Sequence, residues 1–151
     1  MQPTPTSDSR TTEPTAEVRT RSAKGTLVSV GVGMIVWRPL DTSYEHQLEF
    51  TGDLSAHVGR HGRGRVRVRG RKVYAVASGG NFVQPILGTP RIIQGRVLAL
   101  DGNVLFVKAG AVFAVELPTG KDTIDLAPGG IAVNSMVNVV AWPGASFENV
   151  E

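Results

Sequence analysis

The sequence predicts an all-β fold, and three features of its composition support this prediction. The 151 residues include 18 glycines and 9 prolines, which favour turns over long helices. Valine is frequent in short apolar runs, as is typical of strands. The longest such run, residues 27–37, is interrupted by Ser29, Gly31 and Gly33. A hydrophobic content of 41% is enough for a packed core, in one medium domain or two small ones.

The first 24 residues are predicted to be a flexible polar tail. They are rich in Thr, Pro and Ser and contain almost no apolar residue, so they cannot bury enough surface to fold alone. The segment also lacks the apolar stretch of a signal peptide. The apolar run at residues 27–37 is much shorter than the roughly 20 residues that a membrane helix needs. We therefore expect a soluble, cytoplasmic protein without a membrane partner.

Two stretches 70 residues apart predict an internal duplication. Residues 25–37 have the pattern of strand, glycine turn and strand, and residues 95–107 repeat it without a gap. Four further features then follow in the same order in both halves. They are a third strand (Leu48–Gly52 and Val115–Gly120), a linker glycine (Gly59 and Gly129), a Val-x-Val strand (Val66, Val68 and Val137, Val139) and a glycine–phenylalanine pair (Gly79, Phe82 and Gly144, Phe147). Self-similarity at a fixed period predicts repeated units, here residues 25–90 and 91–151. The alternative is that two β-meanders of similar length look alike.

The second half gives the clearer strand pattern. Its strands are predicted at residues 91–100, 104–108 and 111–117, with a returning strand at residues 133–142. Three strands, a crossover and one or two further strands are the order of a five-stranded, partly open Greek-key barrel.

Several short motifs match the pattern of one known family. They are Gly95-Arg-Val with Asp101-Gly-Asn, Leu126-Ala-Pro-Gly, Val137-Asn-Val and, in the first half, residues 53–59 and 65–68. On these motifs, residues 25–148 resemble an OB-fold. The resemblance implies two pseudo-repeated OB-like Greek-key barrels after the tail, and oligonucleotide binding on a strand face flanked by loops.

The arginine-rich segment at residues 63–72 is predicted to be a strand with five guanidinium groups on one face. Successive side chains of a strand point to opposite faces. The outward set is Arg63, Arg65, Arg67, Arg69 and Arg71, and the inward set is Gly64, Val66, Val68 and Gly70. In a helix the glycines would be destabilising by up to about 1 kcal/mol each. Gly70 is expected to mark a bulge that turns Val73 and Ala75 inward.

This strand predicts a surface that follows a nucleic-acid backbone. Between Asp53 and Asp101 the chain has nine positive residues and no acidic one. Guanidinium groups about 6.6 to 6.8 Å apart suit the phosphates of a single strand, and aromatic side chains add stacking platforms. The candidate nucleic-acid-binding residues are Arg60, Arg63, Arg65, Arg67, Arg69, Arg71, Lys72, Tyr74 and Phe82.

An alternative interpretation makes the same strand structural. Its arginines would protect a strand edge from aggregation, or pair with acidic residues such as Asp122 and Asp125. The protein would then be a structural or assembly protein that self-associates or docks on acidic protein partners. A tail that becomes ordered on assembly would favour this second hypothesis.

No pattern in the chain predicts catalysis. It lacks the G-x-S-x-G and phosphate-loop motifs, and Gly31-Val-Gly33 lacks the third glycine and helix of a dinucleotide site. Cysteine is absent. We therefore expect a non-enzymatic protein with no cofactor and no small-molecule substrate.

The histidines and tryptophans have simpler interpretations. His57 and His61 would need a third ligand such as His46 or Asp53 to hold a metal, and the alternative is that they are surface residues. We expect no metal site. Trp37 and Trp142 are predicted to pack in the core or between the units, with Trp142 and Pro143 as a possible barrel cap.

Overall fold

The computed structural model describes residues 21–118 and 131–150. Eleven strands and one 3-10 turn, Ser55–His57, form within these ranges. The strands are β1 (Ala23–Gly31), β2 (Met34–Pro39), β3 (Glu45–Glu49), β4 (His61–Ala75), β5 (Phe82–Gln84), β6 (Leu87–Gly88), β7 (Ile92–Asp101), β8 (Val104–Ala109), β9 (Ala111–Glu116), β10 (Met136–Ala141) and β11 (Ser146–Asn149). The described part of the chain contains no α-helix, which confirms the all-β class. No helix in these ranges is long and apolar enough to cross a membrane.

All strands join one mixed sheet that is organised around β4. One route of pairing leads from β4 through β1, β2 and β3 to β11 and back to β4. A second route leads from β4 through β10, β7 and β8 to β9 and back to β4. The first ring of pairings uses residues 61–67 of β4, and the second uses residues 66–75. A single strand therefore connects the two rings.

The predicted arginine strand, residues 63–72, is confirmed as the central part of β4. Its inward positions Gly64, Val66, Val68 and Gly70 are buried, and the residues between them are more exposed. The pairing with β10 shifts between Gly70 and Lys72, so that Arg71 is the extra residue of a bulge. Burial resumes at Val73, one residue out of phase. The bulge expected at Gly70 is therefore confirmed, and it leaves Arg71 and Lys72 exposed side by side.

The 70-residue period is also visible in the strand irregularities. The register of β1 against β2 shifts between Leu27 and Ser29, and that of β7 against β8 shifts between Val97 and Ala99. The strand bounds of the second half agree with the predicted ones within a few residues. The paired hairpins thus share the same bulge at matching positions.

The division into units at residue 90 stays a prediction. Pairing crosses that position, because β4 contacts β9 and β10, and β11 returns to β4. The last residues assigned to the tail, Ala23 and Lys24, belong to β1 and pair with Gly64 and Arg63. Residues 1–20 of the predicted tail, and the linker residues 119–130, lie outside the described residues.

The main core lies on the inward face of the sheet, and Phe106, Val112 and Ala114 form a second, smaller buried cluster. Its fully buried members include Ile35, Leu48, Ile93 and Phe113. Trp37 packs there with 3% of its surface exposed, as predicted. Trp142 does not: it is 44% exposed, so the prediction of core packing for this residue is wrong. It directly follows β10 at the sheet surface, where its backbone N–H donates to the carbonyl of Arg69.

Candidate functional site

The basic residues of β4, together with Arg60 just before it, fall into three groups with different surroundings. Arg60 and Arg63 line a cavity at the start of the strand. Arg65 and Arg67 meet a carboxylate of β11. Arg69, Arg71 and Lys72, which we call the exposed basic cluster, are open to solvent at the far half of the strand. Alternation predicts a uniform stripe of arginines, but the neighbouring strands give these arginines three different environments.

Glu148 ties the middle arginines to β11. Arg65 donates from Nε and Nη2 to the two carboxylate oxygens of Glu148 at 3.0 and 3.2 Å, and Arg67 donates from Nη1 at 3.2 Å. Hydrogen bonding by Arg65 is the main reason that the pKa of Glu148 lies below its usual value. A bidentate Arg–carboxylate pair fixes geometry as well as charge. This pair therefore fastens β11 to β4.

Arg65 has further contacts that keep it in place. Its Nη1 donates to the backbone carbonyl of Arg21 at 3.0 Å, and its guanidinium lies 5.6 Å from the ring centre of Phe106. Arg21 lies over the same ring at 4.9 Å. The side chain of Arg65 keeps only 19% of its surface exposed. Arg65 thus joins three segments of the chain and has little surface left for a partner.

The exposed basic cluster has a different environment. Among residues 21–118 and 131–150, no carboxylate forms an ion pair with Arg69, Arg71 or Lys72. Glu116 is the register partner of Arg69 on β9 and is exposed, so the local charge of the four residues is about +2. The bulge places Arg71 and Lys72 next to each other at the surface. These are the cations of β4 that remain open to an anionic partner.

Two aromatic side chains border this cluster. The guanidinium of Arg71 lies 5.7 Å from the centre of the Trp142 ring, within the range of a cation–π contact. Tyr74 is 40% exposed, and its hydroxyl accepts a hydrogen bond from Asn138 at 3.0 Å. Phe82, in contrast, lies on β5, separated from β4 by β7 and β10. The structure thus brings Tyr74 to the basic cluster but not Phe82.

The histidines do not converge on one another. His46 is completely buried, stacks on Tyr44 with ring centres 5.3 Å apart, and meets the edge of Phe113. Burial lowers the pKa of His46 to about 4. His57 and His61 are exposed and line the same cavity as Arg60. Within the described ranges, no three His, Asp or Glu side chains lie close enough to hold a metal ion.

Sequence reasoning missed two residues of this surface, Glu148 and Trp142. Both come to β4 from the last quarter of the chain: Glu148 is 83 positions from Arg65, and Trp142 is 73 positions from Arg69. The carboxylates proposed as partners, Asp122 and Asp125, lie outside the described residues. The only signal pointing to Trp142 was its place at the end of the predicted strand 133–142. That signal indicates a strand end but not which strand lies beside it.

No family model, curated protein or solved structure matches the chain.

Proposed function

We propose that this chain is a non-catalytic module that binds single-stranded nucleic acid through the far half of β4. The contacts with phosphate come from Arg69, Arg71 and Lys72, with Arg67 at the margin. Trp142 and Tyr74 provide the stacking surfaces. The proposal leaves out four other residues that the sequence predicts to bind. Arg60 and Arg63 line the cavity at the start of β4, Arg65 is paired with Glu148, and Phe82 lies on β5.

One observation carries this proposal: three cations and two exposed aromatic rings share one open patch. A basic surface alone is a weak indication, because it equally suits acidic proteins. Single-strand binders combine a positive track with rings on which bases stack, each stacked base being worth about 1 to 3 kcal/mol. Trp142 and Tyr74 are both about two-fifths exposed beside the cations, which is the expected arrangement.

The size of the patch sets the strength of the binding. Neutralising Z phosphates of a single strand gives a slope of about −0.7Z in a plot of log K against log salt. Three contacts predict a slope of about −2. Binding is therefore expected at low salt, with a marked loss near physiological ionic strength.

The test is a salt series with a labelled single-stranded oligonucleotide. Affinity is measured by fluorescence anisotropy for the unaltered chain and for a variant with Arg69→Gln, Arg71→Gln and Lys72→Gln. The unaltered chain should show a slope near −2, and the variant a slope near zero. A matched control, Arg38→Gln with Arg91→Gln and Arg96→Gln, removes the same charge elsewhere. Equal losses in both variants would show that net charge, and not this patch, governs binding.

The competing hypothesis is assembly through the same cations. Positive surfaces also steer association with acidic protein faces, including those of a second copy. Light scattering at low salt distinguishes the two. A mass several times that of the monomer, together with no oligonucleotide binding, would favour assembly and contradict the nucleic-acid proposal.

We also propose that the two rings of pairing are interleaved OB-like barrels. Each ring contains five strands, the number in that barrel. The matching bulges of β1 and β7 support the duplication that the sequence predicts. In this arrangement neither residues 25–90 nor residues 91–151 are complete alone, because β4 serves both rings and β11 completes the first. Cytoplasmic location stays a prediction.

A further inference from the structure

A cleft of about 600 Å³ lies among residues of both rings of pairing, apart from the cavity at the start of β4. Its walls come from four short stretches of the chain, within residues 33–34, 47–51, 85–91 and 143–145. The last stretch belongs to the loop that leads from β10 of the second ring to β11 of the first. Clefts of about 300 to 1,000 Å³ are typical of small-ligand sites, so this one is large enough for a ligand.

The described part of the cleft lining has two ionisable residues, and they carry opposite charges. They are Glu49 and Arg91, and both are exposed. Within residues 21–118 and 131–150 neither of them forms an ion pair, with the other or with any third residue. Two opposite charges that line one cleft without pairing leave each charge available to a ligand.

The two charged groups lie along the same loop. An added Cβ atom at Gly144 would be 3.8 Å from the carboxylate oxygen Oε2 of Glu49. The guanidinium of Arg91 donates from Nε to the carbonyl of Ala141 at 3.2 Å. That bond fixes the guanidinium and leaves its two terminal nitrogens without a partner in the described ranges. The two positions on the loop are three residues apart, which is at most about 11 Å of chain.

Backbone hydrogen bonds hold this loop against the residues that carry the charges. The N–H of Glu49 donates to the carbonyl of Ala145 at 2.9 Å, and the N–H of Ala141 donates to the carbonyl of Arg91 at 2.8 Å. Both ends of the loop are thus tied to the two residues whose side chains supply the charges. A site whose shape is set in advance loses less entropy when it binds.

The rest of the lining combines apolar and neutral polar side chains. Met34 keeps 38% of its surface exposed, and Phe50 is partly buried against the core. An apolar wall with a few placed polar groups is typical of sites that orient a small ligand. The apolar side chains are Met34, Phe50, Pro85 and Pro143, and the neutral polar ones are Gln47, Thr51 and Thr89.

We propose that the cleft binds a small zwitterion of the amino-acid or short-peptide class. Its ammonium group pairs with the Glu49 carboxylate, its carboxylate accepts hydrogen bonds from the terminal nitrogens of Arg91, and its apolar side chain packs against Met34 and Phe50. A guanidinium suits a carboxylate because it can donate two parallel hydrogen bonds. Glu49 would repel a ligand that is only anionic, and Arg91 would repel one that is only cationic. A ligand with both charges satisfies both residues.

This inference does not depend on nucleic-acid binding. Arg69, Arg71 and Lys72 do not line the cleft, so failure of the oligonucleotide test would leave the inference unaffected. It differs from the expectation, drawn from the sequence, of no small-molecule substrate. That expectation rested on the absence of familiar motifs, whereas the cleft forms only when distant segments of the chain come together.

The test is calorimetric titration at neutral pH with tripeptides that have free termini and a central leucine or phenylalanine. Acetylation of the N-terminus and amidation of the C-terminus remove the two charges separately or together. At least one free tripeptide or amino acid should bind with a Kd of about 1 mM or tighter. Each singly blocked form should bind at least about tenfold more weakly, because a hydrogen-bonded charge is lost. Free leucine and phenylalanine distinguish an amino-acid site from a peptide site.

Two variants assign each charge of the ligand to its partner. Arg91→Gln should remove the preference for a free carboxylate, so that an acid and its amide bind alike, while the preference for a free ammonium group stays. Glu49→Gln should give the reverse result, and the crossed comparison isolates each pair. The matched controls Arg96→Gln and Glu116→Gln change exposed residues outside the cleft and should alter affinity by less than about twofold. Circular dichroism checks that each variant is folded.

The proposal is overturned by any of three results. The first is no saturable binding of the free tripeptides or amino acids up to about 10 mM. The second is that the doubly blocked peptides bind as tightly as the free ones. The third is that Arg91→Gln, in a folded protein, weakens the binding of an acid and of its amide to the same extent.

Discussion

Both halves of β4 carry arginines at alternate positions, but the surroundings of these arginines differ. In the first half, Arg65 is bound by Glu148, by the Arg21 carbonyl and by the ring of Phe106. In the second half, Arg69 and Arg71 have no ion pair within the described ranges, and an exposed tryptophan lies beside them. An arginine stripe therefore does not have one role. The strands that pair with each half decide whether its cations stabilise the fold or remain open to a partner.

The inward faces of the two halves differ in the same way. At Gly64 an added Cβ would lie 2.3 Å from the Phe147 ring of β11, which leaves no room. At Gly70 it would meet side-chain atoms of Val73 and Val115 at 3.0 and 3.2 Å, which is tight but adjustable. Gly64 is thus packed more closely against its neighbours than Gly70.

The largest expected effect comes from filling these glycine positions. Gly64→Ala should lower the free energy of unfolding by about 1 to 3 kcal/mol, because Phe147 must move. Gly70→Ala should lower it by about 1 kcal/mol or less. Gly62→Ala is the control, since nothing lies within 4 Å of its Cβ position, and it should leave stability unchanged or slightly higher. Urea unfolding measures all three. Equal losses at Gly64 and Gly62 would contradict the close packing of Phe147 against Gly64.

A smaller difference is expected between arginines of the two halves. Arg65→Met keeps most of the side-chain volume but removes the hydrogen bonds to Glu148 and to Arg21, and should lower the free energy of unfolding by about 1 to 2 kcal/mol. Arg69→Met should change it by less than about 0.5 kcal/mol. Thermal and urea unfolding of both variants provide the comparison. A larger loss for Arg69→Met would mean that the second half is also structural.

The smallest effect is a pH dependence confined to the first half. Because the folded-state pKa of Glu148 lies below its usual 4.5, its stabilising contribution is present above pH 4.5 and is lost as the pH falls through the folded value. Glu148→Gln should therefore be less stable than the unaltered chain at pH 6, with the difference shrinking towards pH 3. Half-exposed charges make this difference no more than about 1 kcal/mol.

A second group titrates separately in the same experiment. His46 has a folded pKa of about 4 against an ordinary 6.5, so stability falls as the pH drops from about 6.5 towards 4 in both proteins. That decline should persist in Glu148→Gln. If the variant and the unaltered chain instead keep a constant difference from pH 6 to 3, Glu148 does not gain its contribution from the charged pair.

The sequence was sufficient to predict features that depend on near neighbours along the chain. Alternation in β4, the bulge at Gly70, and the hairpins at residues 25–37 and 95–107 all follow from local spacing. Each of these features belongs to one strand or one turn, and its structure is set by the alternation of side chains and by the positions of the glycines.

Features that depend on strand order could not be predicted in this way. Glu148 reaches Arg65 because β11 returns to β4, and Trp142 reaches Arg71 because β10 pairs with the far half of the same strand. Phe82 is near β4 in sequence but three strands away along the sheet. The cavity also depends on this order, since its wall combines residues of β1, β2, β4 and β11 with the turn at Ser55–His57.

The most direct test of the difference between the two halves of β4 measures the free energy of unfolding and the oligonucleotide affinity of two variants. One carries Arg65→Met, and the other carries Arg69→Met with Arg71→Met. The account predicts that the first loses stability but keeps its affinity for a single-stranded oligonucleotide at low salt. The second should keep its free energy of unfolding within about 0.5 kcal/mol and lose affinity by about tenfold or more. Equal loss of affinity in the two proteins, or loss of stability only in the second, would contradict the division of β4 into a structural half and an open half.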